Sequence, residues 1–95
     1  MREKLLEKNF REGCKKRGGW ALKLTCPGTD GVPDRLACFP VNRFYLAELK
    51  TTGEQLRPTQ RIVHSIFARL GTPVFVIDTQ EKLNDFFKTV EADDL

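Results

Sequence analysis

Paired cysteines, long apolar runs and repeats are all missing from this 95-residue sequence, and each absence removes a class of protein. Cys14, Cys26 and Cys38 are odd in number and contain no Cys-x-x-Cys pair, which argues against a zinc knuckle or a disulfide framework. Cys14 falls on a helical apolar stripe and Cys38 on a strand pattern, where each reads as a small buried hydrophobe. Unpaired thiols fit a reducing cytoplasm. No apolar stretch approaches the roughly 18 to 20 residues of a membrane span, and the charged opening Met1-Arg2-Glu3-Lys4 does not look like a signal peptide. With no repeat, linker or low-complexity segment, residues 1–90 read as one domain near the size where burial just outweighs chain entropy.

Acidic residues are few outside the last five positions, which hold three acids and no base. That leaves 16 bases against 10 acids over residues 1–90, a net charge of +6. Such a balance favours an anionic partner. The acidic end, residues 91–95, is expected to fray.

The chemistry concentrates between Gly31 and Lys50. Two apolar runs, Leu36 to Phe39 and Phe44 to Leu49, flank Pro40-Val41-Asn42-Arg43, a β-hairpin pattern. The fold-back brings Asp34, at the entrance of one strand, to the end where Glu48 and Lys50 leave the other. Strand side chains alternate, so Glu48 and Lys50 share a face. A two-residue turn would set Asp34 opposite Leu49 and turn it away. A three-residue turn or a bulge is therefore expected, pairing Asp34 with Lys50 and gathering all three on one face. Two carboxylates and a lysine suit a hard divalent cation, because Mg²⁺ commonly takes one or two carboxylates and leaves other positions to water and phosphate. Lys50 would hold a phosphate oxygen, stabilise developing charge or orient the attacking water.

The rest of the chain supports this segment. Residues 2–17 form a basic amphipathic helix with Leu6, Phe10 and Cys14 as its stripe, weakened by Gly13 by about 1 kcal/mol. Glu7 borders the stripe and Glu3 lies nearer its centre; helical geometry does not choose between them. Lys15, Lys16 and Arg17 form a positive last turn suited to the helix dipole, stopped by Gly18-Gly19. Trp20 to Thr25 alternates as a strand, with Lys23 either touching phosphate or solvating a sheet edge. Cys26 to Pro33 is a turn-rich loop that aims Asp34, with Asp30 in a turn-forming role. Phe44 to Leu49 reads as a central strand covered on both faces. Pro58 opens a helix with Ile62, Val63, Ile66, Phe67 and Leu70 on one side; Gln60 and His64 share another face, and His64 is read as an exposed helix residue rather than a general base. Thr72 to Ile77 is a fourth strand. Asp78 is the expected N-cap of a last helix, with Glu81 completing a capping box.

Gly31-Val32-Pro33-Asp34-Arg35, the hairpin, Glu48-Leu49-Lys50, then Gly53 and Gln60 at a helix start, together resemble the VRR-NUC family of the PD-(D/E)XK nuclease superfamily, in the stand-alone form found in phages and bacteria. The resemblance extends from about Leu5 to Phe87. It implies an α/β fold of order αβββαβα, with a mixed four-stranded sheet flanked by helices. It implies a Mg²⁺- or Mn²⁺-dependent DNA endonuclease, with the metal held by Asp34, Glu48 and the Leu49 backbone carbonyl. Lys50, Gln60 and Glu7 would contribute to catalysis; the family spacing to the Gly-Gly pair is what selects Glu7. DNA would be held by Lys23, Lys15, Lys16, Arg17 and Arg35. So small a nuclease would recognise DNA shape rather than bases, as a homodimer at four-way (Holliday-type) junctions of DNA repair, with flaps or nicks next. A catalytically silent DNA-binding or assembly module on the same fold is the alternative. The departure is mild: Leu46 stands where the family often has an aromatic residue.

Overall fold

The computed structural model describes residues 1–94, so the last residue of the acidic end lies outside the described residues. Its elements are α1 (Glu3–Lys16), β1 (Trp20–Lys23), β2 (Arg35–Phe39), β3 (Arg43–Leu49), α2 (Pro58–Arg69), β4 (Val74–Ile77) and α3 (Gln80–Ala92). This is the αβββαβα order. The sheet runs β1-β2-β3-β4. β2 pairs antiparallel with β1 and β3, while β4 is parallel to β3, so the sheet is mixed and β3 is internal.

Hairpin register fixes the site. Phe39 pairs with Arg43, so the connection is the odd-length loop of residues 40–42, and Asn42 takes a left-handed conformation with φ 56°. Asparagine tolerates that region better than most residues. The β2–β3 ladder ends at the pair Arg35 with Ala47, and one step further sets Asp34 opposite Glu48. The expected partner was Lys50. The correction is a shift of two residues, which leaves the face unchanged because side-chain direction has a period of two.

The apolar core lies on one face of the sheet, under α1 and α3. Leu6, Phe10 and Cys14 meet Ala47, Leu49, Ile77, Leu83, Phe86 and Val90, all at most 2% exposed. Phe86 stacks edge-on to Phe75 and Tyr45. Gly13 also has its reason here, since a Cβ at that position would lie 2.3 Å from the Phe87 ring. The low helix propensity of glycine is accepted so that α1 and α3 can close together.

α2 covers the other face, but not with its most apolar side. Ile62, Ile66 and Leu70 are exposed, whereas Gln60 and His64 are buried and Val63 and Phe67 half-buried. The helix is turned so that its polar edge meets Glu48 and Lys50, buried charges that need polar neighbours. The last helix is capped one residue later than expected: the Thr79 hydroxyl accepts from Lys82 N–H, and Asp78 instead pairs with the Lys82 ammonium at 2.8 Å. At the acidic end α3 continues to Ala92. Asp93 accepts the Tyr45 hydroxyl at 2.7 Å, and Glu91 and Asp94 pair with Arg17 and Arg43. No helix of the described residues is long and apolar enough to cross a membrane.

Candidate active site

Three pieces of chain meet at one end of β2 and β3. The first is the loop before Asp34. Gly31, at φ +85°, approaches α2 so closely that a Cβ there would lie 2.5 Å from the Thr59 carbonyl oxygen. Asp30 braces the same contact, accepting from the Thr59 hydroxyl at 3.0 Å and pairing with Arg57 at 3.3 Å. Pro33 is fully buried behind them. Asp30 is thus a brace, as its turn-forming role suggested, and Asp34 is the carboxylate delivered to the site. Asp34 Oδ1 accepts the Leu49 backbone N–H at 3.2 Å. In a strand a residue's N–H and C=O point the same way, so the Leu49 carbonyl lies on Asp34's side of β3.

The second piece is the end of β3. Glu48 is 4% exposed and Lys50 8%. Burial raises the Glu48 carboxyl to about 7, helped by the negative charge of Asp34 and opposed mainly by Lys50. Burial also raises Asp34, against the Leu49 N–H, Arg35 and Lys50. Two carboxyls that each resist ionising, beside a lysine, form a strained electrostatic arrangement of the kind that clusters at functional sites.

The third piece is α2. Gln60 Oε1 caps the helix by accepting the Arg57 backbone N–H at 2.8 Å, which leaves its amide nitrogen as a donor. One turn on, His64 Nε2 lies 3.4 Å from Glu48 Oε1. His64 was expected to be an exposed residue; it is 9% exposed and faces the site. Burial and then Lys50 lower its pKa, which favours the neutral ring. The signal was its i, i+4 spacing from Gln60.

Glu7 reaches the site through an intermediary. Its carboxylate lies 3.4 Å from Arg35 Nη2, and Arg35 Nε is 3.9 Å from Asp34 Oδ1. Glu3 adds negative charge felt at Glu48, so both helix glutamates sit at this end. Arg35 was expected to bind DNA, but its side chain is 6% exposed and lies between two carboxylates. Arg17 is also engaged within the protein: it sits over the Phe87 ring at 4.0 Å, donates to Gly13 O and pairs with Glu91. Lys15, Lys16 and Lys23 are exposed. Sequence reasoning overlooked Arg11, which with Ala21 lines two adjoining grooves between α1 and β1 of about 210 and 410 Å³; Lys23 lines the first and Lys15 the second.

A mixed sheet with acid, acid and lysine gathered at the ends of two adjacent strands defines a nuclease-type α/β fold. A solved structure described as a VRR_NUC domain superposes with a TM-score of 0.84 at 26% identity, over 90% of this chain and 94% of the other. "Putative nuclease p44" of Acyrthosiphon pisum secondary endosymbiont phage 1 is 38% identical over 81 residues, 85% of this chain and 87% of that protein. No family sequence profile matches the chain. The chain belongs to the VRR-NUC family.

The donor set fits a divalent cation. Glu48 Oε1 is buried with no hydrogen-bond partner among the described residues, beside a second carboxylate, Asp34, whose charge opposes its ionisation. Among the described residues no cluster of three or more His, Cys, Asp or Glu side chains forms a metal cage. Two carboxylates with no thiolate beside them suit a hard cation such as Mg²⁺ rather than a closed zinc site.

Proposed function

We propose that the chain is a divalent-metal-dependent, structure-selective DNA endonuclease that acts on four-way junctions as a homodimer. The observation that carries this reading is the convergence of Asp34, Glu48 and Lys50 on one face at the end of an internal strand. Mg²⁺ or Mn²⁺, held by Asp34, Glu48 and the Leu49 carbonyl, would supply Lewis-acid polarisation of the phosphate and a water ionised near neutral pH.

The chain's own residues do the rest. Lys50, buried beside both carboxylates, places a fixed positive charge where the pentacoordinate phosphate gains negative charge, in a low-dielectric pocket where such a charge counts most. Arg35 places its positive charge between Glu7 and Asp34, and the Leu49 N–H limits where the Asp34 carboxylate points. Gln60, with its oxygen engaged at the helix cap, would offer its amide N–H as a further donor. In-line attack of water on phosphorus, with the P–O3′ bond breaking and the departing 3′ oxygen taking up a proton, would leave a 5′-phosphate and a 3′-hydroxyl.

Support for DNA comes from the α1–β1 grooves. Arg11, Lys15 and Lys23 line them, and the edge strand β1 forms one wall. The hydrogen bond from Leu24 N–H to Asp34 O sets the alternation of β1, which sends the N–H groups of Ala21 and Lys23 outward as further phosphate donors. Support for a homodimer comes from apolar surface: Trp20 and Phe44, on either side of Cys38 on the α2 face of the sheet, are 68% and 64% exposed. Such surface commonly marks an interface. A reducing cytoplasm, in a bacterium or phage-infected cell, accommodates the three free cysteines.

The test is metal-dependent stabilisation followed by cleavage. The parent should gain thermal stability with Mn²⁺ while an Asp34→Asn, Glu48→Gln protein does not. Binding of a junction without any cutting under either metal would favour a silent assembly module.

A further inference from the structure

His64 and Glu48 form a closed pair of unmet needs. Glu48 Oε1 and His64 Nε2 are both buried, and neither has a hydrogen-bond partner among the described residues. They face each other at 3.4 Å. A buried polar atom left unpaired costs about 1–3 kcal/mol, and each of these lies within reach of the other. Such bonds are often long in the unliganded state and tighten when the site is filled.

The histidine is also held in place. Gln60 caps the first turn of α2, and Asp30 clamps that turn to the loop that delivers Asp34. His64 follows one turn later, so its ring is fixed relative to both carboxylates. The charged groups facing it are Glu48 and Lys50, and the lysine opposes a second positive charge on the ring.

We propose that His64 is a positioning residue of this site: its Nε2–H holds Glu48 Oε1 and so directs the other carboxylate oxygen toward the cation. The inference rests on the reading of Glu48 as a metal ligand. Its direct part, the contact between ring and carboxylate, stands apart from that reading.

The protein contains one histidine, so long-range ¹H–¹⁵N correlation of labelled protein reports its ring without assignment. In metal-free parent at pH 7.5 the expected state is the Nε2–H tautomer, with Nε2 signals that move in Glu48→Gln. The same tautomer should persist with Mg²⁺. Calorimetry with Mn²⁺ should show binding about 10–100-fold weaker in His64→Leu, the usual loss when a ligand's supporting partner is removed, and within about threefold of the parent in His64→Gln, which restores a donor. Far-UV circular dichroism of both variants establishes that they are folded.

A switch to the Nδ1–H tautomer on loading would overturn the proposal by making His64 itself a ligand. Equal Mn²⁺ affinity in parent, His64→Leu and His64→Gln would overturn it as well. If the parent binds no Mn²⁺, the metal reading of the site fails, and with it the directing role. Imidazole signals unmoved by Glu48→Gln would instead refute the contact while leaving the metal reading intact.

Discussion

Replacing Glu48 by glutamine should stabilise the metal-free protein at alkaline pH. The Glu48 carboxyl is raised from 4.5 to about 7, first by burial and then by Asp34. A raised carboxyl contributes stability that is fully present below pH 4.5 and is lost as pH climbs through about 7, because the folded state holds the proton more tightly than the unfolded chain. At about 1.4 kcal/mol per tenfold change, ionising Glu48 in the fold costs up to about 3 kcal/mol by pH 8.5. His64, held below its ordinary 6.5, acts in the opposite direction up to that pH. The quantity to measure is therefore the difference between Glu48→Gln and parent. Thermal unfolding in EDTA should show a difference near zero at pH 4 and a gain of about 1–3 kcal/mol at pH 8.5, some 4–8 °C for each kcal/mol in a domain of this size. Mn²⁺ should erase the gap by stabilising only the parent, by about 2.7 kcal/mol at a hundred times Kd. A variant that gains nothing over the parent between pH 4 and pH 8.5 would refute the idea that Glu48 is an electrostatic liability awaiting a cation.

Other outcomes follow from the same geometry. Gly31→Ala combines a forbidden φ with a Cβ 2.5 Å from the Thr59 carbonyl; urea titration should show a loss of about 2 kcal/mol or more, and Mn²⁺ binding should weaken because the Asp34 loop no longer seats. Changing Arg11, Lys15 and Lys23 to glutamine should lower the salt dependence of duplex binding by about 0.9 in slope per cation removed, with kcat at saturating DNA unchanged; an unaltered slope would take DNA off the α1–β1 grooves. Trp20→Ser with Phe44→Ser should convert a dimer to a folded monomer in analytical ultracentrifugation, and a monomeric parent at micromolar concentration would contradict the dimer reading.

The hairpin was legible because its constraints are local. The run lengths and turn residues mark the hairpin and the alternation sets Glu48 and Lys50 on one face, while the odd-length loop was expected only because it brings Asp34 to join them. The exact partner of Asp34 was not, since loops placed two residues apart in register satisfy the same alternation. The rotation of α2 was also hidden. Five apolar residues suggested a buried side, but a helix that must supply polar neighbours to Glu48 and Lys50 turns Gln60 and His64 inward and leaves Ile62 and Leu70 exposed. Arg35 and Arg17 show the limit of reading charge along a chain. Each counts as basic surface in the sequence, yet one is buried between Glu7 and Asp34 and the other lies on Phe87. Long-range partners decide whether a cation is free to meet a phosphate, and those partners are 28 and 70 residues away in the chain.

The most direct measurement is cleavage of labelled four-way junction, 5′-flap and linear duplex DNA in Mg²⁺, Mn²⁺ or EDTA, comparing the parent with Lys50→Ala. The account predicts junction cutting that requires metal, leaves 5′-phosphate ends and is lost with Lys50. Binding of the junction with no cleavage of any substrate under either metal, or cleavage that survives both EDTA and Lys50→Ala, would contradict it.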